Sequence, residues 1–112
     1  MRQLTIEILE ITNKKTKAKS TLIVDLLKKR GISGIVAVDI FQQYSAEYVL
    51  RKCWLLDYMV ELGLPIKHHR RWLQAAIKND YKEPDHFLMW LKRKKEYILK
   101  DGNEDLKQLL TI

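Results

Sequence analysis

Cysteine occurs once in this 112-residue chain, at Cys53. A single thiol cannot close an internal disulfide or build a multi-cysteine zinc site. Its place in a helical apolar pattern marks it as a small buried hydrophobe rather than a nucleophile. Glycine is sparse too, with four residues, and none belongs to a phosphate-cradling loop or a Gly-x-Ser-x-Gly elbow. Of the three histidines, His68 and His69 are adjacent, which on a helix points them about 100° apart. With no His-Glu-x-x-His spacing, nothing assembles a metal ligand set. No apolar run is long enough for a signal peptide or a membrane span. These absences predict a cytoplasmic, non-enzymatic protein without metal, other cofactor or membrane attachment.

Acidic residues are also in deficit. Lys and Arg number 21 against 14 Asp and Glu, a formal charge of +7 with pI near 9.5. Such an excess favours polyanionic partners, nucleic acid first and an acidic protein surface or anionic membrane second. At 46% hydrophobic and 31% charged residues, the composition is that of one globular domain with a modest core. Asp80 departs from the scattered acids, because its helical angle turns it toward an apolar side. Hydrogen bonding to backbone amides near the next helix is the expectation for it.

The hydrophobic pattern predicts an all-α domain, a compact bundle of five to six short helices. Leu4, Ile6 and Ile8 alternate with polar residues and suggest a short N-terminal strand. The basic run 13–19 reads as an arm, so residues 1–19 precede a helical unit over 20–112. A first helix is expected over about 18–30, with Leu22, Ile23, Leu26 and Leu27 inward and Gly31 ending it. Ser33 or Gly34 opens a second, with Val36, Ala37, Ile40, Phe41 and Tyr44 as its apolar face. Ser45 caps a third, about 46–62, whose apolar face is widened by Trp54 and Leu55, as in a central helix. Pro65 precedes a fourth, about 66–81, with Trp72, Leu73, Ala76 and Ile77 inward. Pro84 begins a fifth reaching about Lys100, with a stripe of Phe87, Leu88, Leu91 and Ile98. Asn103 caps a last short helix.

Two basic clusters are the candidate nucleic-acid contacts. On the fourth helix, Lys67, Arg71, Gln74 and Lys78 project opposite the apolar stripe, with Arg70 at their edge. Such a row meets successive phosphates without reading sequence; the bland account is a solvated helix face. On the fifth helix, Lys92, Arg93, Lys94 and Lys95 accompany Trp90 and Tyr97, aromatic groups suited to stacking bases. There the competing account is that the aromatics pack on a neighbouring helix. The Gly31 turn outlines a helix-turn-helix, but Gly34-Ile-Val-Ala-Val-Asp-Ile-Phe-Gln-Gln43 is too apolar to read base edges.

Gly31-Ile-Ser-x-x-x-Ala37, Tyr44-Ser-Ala-Glu-Tyr-Val49 and Trp72-Leu-x-x-Ala-Ile-x-x-Asp-Tyr-x-x-Pro84 together carry a family likeness. Over about residues 22–87 the chain resembles the C-terminal, DnaD-like helical domain of bacterial plasmid and phage replication initiators. The Gly-Ile-Ser segment is also similar to the helical repeats of RecX-type recombination regulators. The first resemblance implies an accessory or initiator role in DNA replication: binding DNA, often single-stranded, and docking on host primase, helicase or helicase loader. It departs from the family in that this sequence shows no winged-helix domain ahead of the helical one, as expected of either an excised domain or a stand-alone relative with a different task, and its matching residues are mainly packing positions. The alternative is a protein–protein module without nucleic-acid affinity. A homo-oligomer formed through the N-terminal segment as an edge strand is a third expectation.

Overall fold

The structure is a computed structural model that describes residues 19–102 and 104–110. The N-terminal strand over Leu4, Ile6 and Ile8, and the arm up to residue 18, lie outside the described residues. Within them the chain forms six helices: α1 (Lys19–Lys29), α2 (Gly34–Gln43), α3 (Ala46–Glu61), α4 (His69–Asn79), α5 (Phe87–Asp101) and α6 (Glu104–Leu110). The all-α bundle is therefore what the hydrophobic pattern dictates.

Local chemistry sets the boundaries. Ser33 Oγ accepts from the Val36 amide and Ser45 Oγ from the Tyr48 amide, each satisfying an otherwise unpaired first-turn donor. Gly31 closes α1 at φ +90°. There the Ile32 amide donates to Leu27 O and the Gly31 amide to Lys28 O, the paired bonds of a Schellman turn. Its usual apolar contact is present as well, since Leu27 and Ile32 are both buried. Gly63 repeats the device after α3, with Leu64 donating to Met59 O and Gly63 to Val60 O.

Two boundaries differ from expectation. α4 starts at His69 rather than Ile66, since the Ile66 amide donates to Leu64 O in a tight turn around Pro65 and the chain stays irregular through His68. α5 starts at Phe87, three residues after Pro84, which takes part in a turn by accepting from the Phe87 amide. α5 nevertheless keeps three of its four expected inward residues. Its buried stripe is Phe87, Leu91 and Ile98, while Leu88 is 58% exposed.

α3 is the central helix. Val49, Leu50, Lys52, Cys53, Trp54, Leu55, Leu56 and Tyr58 are buried along it, covering more than one face. α1, α2, α4 and α5 pack against it, and α6 bridges α1 and α5. Burying a leucine or isoleucine fully is worth about 1.5–3 kcal/mol, so Ile23, Leu27, Leu55, Leu56, Leu73 and Ile77 anchor the surrounding helices to one core. Cys53 lies within it, and burial pushes its thiol up to about 12, leaving the sulfur protonated and inert.

Candidate nucleic-acid interface

Two distant chain segments meet at one corner of the bundle. α1 ends in Lys28 and Lys29, and Arg30 follows just before Gly31. The irregular stretch after Pro65 brings the head of α4 alongside, with Arg70 Cβ 3.6 Å from the position a β-carbon on Gly31 would occupy. Between them lies an open hollow lined by Arg30, Gly31, Lys67, His68, His69, Arg70 and Arg71. No carboxylate is among its lining residues. Lys67, Arg70 and Arg71 are exposed, and among the described residues none of the three forms an ion pair.

Two further features bear on the potential there. Lys28 and Lys29 are exposed in the last turn of α1, adding cations beside the hollow. His68, at the N-cap of α4, makes no side-chain cap hydrogen bond, so the partial positive charge of the helix start is not offset by a capping side chain. Arg30 differs in kind. Its guanidinium donates through Nε to Asp57 Oδ1 at 3.1 Å and through Nη1 to Leu26 O at 2.8 Å, while Nη2 pairs with Asp57 Oδ2. It is a strut joining α1 to α3 rather than a group open to ligands.

The other predicted contacts lie elsewhere. Lys78 sits at the far end of α4 and borders a separate hollow against α2, shared with Asp39, Gln43, Tyr44 and Gln74. The projected row is thus broken: Lys67 precedes the helix, Gln74 is half-buried, and Lys78 has a carboxylate nearby.

Trp90 packs, as the competing account has it. Its ring stacks on Phe87 at 5.9 Å and meets Tyr58 edge-on at 5.5 Å, and Lys94 Nζ lies 5.6 Å from its centroid. Its Nε1–H donates to Glu61 Oε2 at 2.8 Å. Tyr97, by contrast, is 64% exposed. Lys92 and Arg93 are exposed as well, whereas Lys95 is half-buried at the rim of a cleft it shares with Lys19, the first residue of α1. Arg70 adjoins the opposite end of that helix, roughly 16 Å away at 1.5 Å per residue. The two basic clusters therefore occupy different parts of the molecule.

One constellation had no sequence-level signal beyond a lysine at apolar spacing between Val49 and Leu56. Lys52 is only 4% exposed. Its Nζ donates to Tyr81 O at 2.7 Å, pairs with Asp80 Oδ1 at 2.8 Å and lies 5.3 Å from the Tyr48 ring centroid. Tyr48 Oη donates to Ile77 O at 2.7 Å. A buried cation and a phenol thus satisfy carbonyls at the end of α4, where the helix dipole is negative. Asp80 follows α4 in the left-handed region at φ 47°, and Lys52, by hydrogen bond and charge, holds its carboxyl below the usual carboxylate range. Its partner is an ammonium from α3 instead of the backbone amides expected from sequence. Burial, and then the Asp80 charge, push the Tyr48 phenol up. Beside this network Arg51 clasps Glu83 through two hydrogen bonds, the one from Nη2 to Oε1 at 2.7 Å. The Glu83 bond is the largest influence raising the Arg51 pKa.

Among the described residues, no three His, Cys, Asp or Glu side chains are grouped as a metal ion would need. No described helix is long and apolar enough to cross a membrane. Neither family models, nor curated proteins, nor solved structures give a significant match to the chain.

Proposed function

We propose that this domain binds nucleic acid without catalysing a reaction on it, seating the phosphate backbone in the hollow between the end of α1 and the head of α4. The observation that carries the reading is the meeting of Lys67, Arg70 and Arg71 around a concavity with no lining carboxylate, with Lys28 and Lys29 in the adjoining last turn of α1. Cations arranged in that way exchange condensed counterions for phosphate and are indifferent to base identity. The DnaD-like resemblance supports placing this activity in DNA replication, as an accessory or initiator domain that docks on host primase, helicase or helicase loader. Single-stranded DNA is the form that resemblance favours.

The test is a fluorescence-anisotropy titration of labelled single-stranded DNA over a range of salt concentrations. Five phosphate contacts give a slope of about −3.5 in log K against log salt. The Lys67→Glu/Arg70→Glu/Arg71→Glu variant, with its fold checked by circular dichroism, should bind at least about ten-fold more weakly. Its slope should fall to about −1.4. Unchanged affinity in that variant overturns the site. Lys78→Glu, in the separate hollow, should have little effect.

A further inference from the structure

The outer side of α5 is unusual for a helix in a small domain. Leu88 is 58% exposed, Met89 61% and Leu99 52%, although the same helix buries Phe87, Leu91 and Ile98 on its inner side. At 100° per residue, Leu88, Lys92, Lys95 and Leu99 fall within about 60° of one another. They form a strip with an apolar residue at each end and two lysines between. Scattered exposed leucines need no explanation. These two are aligned, and they adjoin a second feature.

That feature is a cleft of about 110 Å³ between α1, α3, α5 and α6. Leu50, Trp54, Leu91, Leu109 and Leu110 supply its apolar surface, and Lys19, Arg51 and Lys95 its cations, with Glu47 as the one carboxylate among its lining residues. Lys95 belongs to both strip and cleft, so the two are continuous. The Arg51 guanidinium is already engaged by Glu83, which leaves Lys19, Lys92 and Lys95 as the cations open to a partner.

We propose that the α5 strip and this cleft together form a docking surface for an acidic amphipathic helix of another protein. The charge on the surface is predominantly positive, so its complement carries Glu or Asp. The spacing i, i+4, i+7, i+11 is that of the heptad stripe along which a second helix packs. From residue 88 to residue 99 the strip runs roughly 16 Å, about three turns of a partner. Apolar side chains of that partner cover Leu88 and Leu99, and one of them enters the cleft over Trp54. Nucleic acid fits less well, because phosphate would satisfy the lysines and leave both leucines in water. This surface is independent of the α1–α4 hollow, and either can fail without the other.

The experiment uses the isotope-labelled full chain and a synthetic helix of about 18 residues, made of Leu, Ala and Glu with leucines at helical spacing. Two controls are its scrambled isomer and a counterpart with Lys in place of Glu. The expected result is amide shifts in α5, α6 and around Trp54 with the Glu helix alone. Lys92→Glu/Lys95→Glu should weaken that binding at least about ten-fold, while thermal unfolding stays unchanged. Three outcomes overturn the proposal. One is the absence of α5 shifts at ~1 mM peptide. The second is shifts of the same strip by oligothymidylate, which makes nucleic acid the occupant. The third is a dimer in sedimentation equilibrium that the double substitution dissolves, which makes a second copy of this chain the occupant.

Discussion

Lys52 Nζ lies 2.8 Å from Asp80 Oδ1, and through that pair the middle of α3 holds the end of α4. The partners are unequal: Lys52 is buried, while the Asp80 side chain is 77% exposed. Most of the structural value therefore sits in the lysine, which also donates to Tyr81 O. Lys52→Met, which keeps length and loses the charge, should cost about 1.5–3 kcal/mol, the range for hydrogen bonds to charged groups. Urea denaturation measures it. A loss below about 0.5 kcal/mol would show that the carbonyl finds another donor.

The same pair predicts acid sensitivity. The Asp80 carboxyl titrates below its ordinary 3.8 in the folded chain. Its contribution to stability is therefore complete above that ordinary value, and it disappears as pH falls through the lower folded value. Asn tolerates the left-handed conformation but cannot ionise. The difference in melting temperature between the wild type and Asp80→Asn should thus be constant near neutrality and shrink below about pH 4. A difference that stays constant to pH 2 would mean the ion pair contributes nothing.

Gly31 tests the turn that brings α1 to α4. At φ +90° any β-carbon is strained, although the space itself is adequate, with Arg70 Cβ at ordinary contact distance. Gly31→Ala should destabilise by about 1–2 kcal/mol in thermal or chemical unfolding. Gly34→Ala should not, since Gly34 has no positive φ and nothing within 4 Å of its would-be β-carbon.

Trp90 separates packing from base stacking. Held by Phe87, Tyr58 and Glu61 yet half-buried, it should cost about 2–3 kcal/mol when changed to Ala, less than a fully buried tryptophan. The folded fraction should bind single-stranded DNA as the wild type does. A selective loss of affinity without loss of stability would restore Trp90 as a stacking group.

Much of the fold was legible because its punctuation is local. Ser33 and Ser45 cap helices, Gly31 and Gly63 end them, and the apolar spacing of Leu22, Ile23, Leu26 and Leu27 gives the buried face. Leu88 was misplaced because it lies about 100° around the helix from Phe87, at the edge of the stripe that Phe87, Leu91 and Ile98 form, and apolar identity alone does not say which edge is covered. The hollow was half legible. Lys67, Arg70 and Arg71 are neighbours in sequence, but Lys28 and Lys29 join them only because α1 and α4 both pack on α3. Lys52 was not legible, since nothing local reveals that its ammonium meets the end of a helix 28 residues later.

The hollow beside Gly31 is built from two pieces of chain, the α1–α2 turn and the head of α4, which α3 keeps together from within. A polyanion lying across Lys28, Lys29, Lys67 and Arg71 would tie those pieces together from without, and only the native arrangement presents them side by side. Binding and folding are then thermodynamically linked. At a ligand concentration of 100 times Kd the native state gains about 2.7 kcal/mol, less whatever the unfolded basic chain binds on its own.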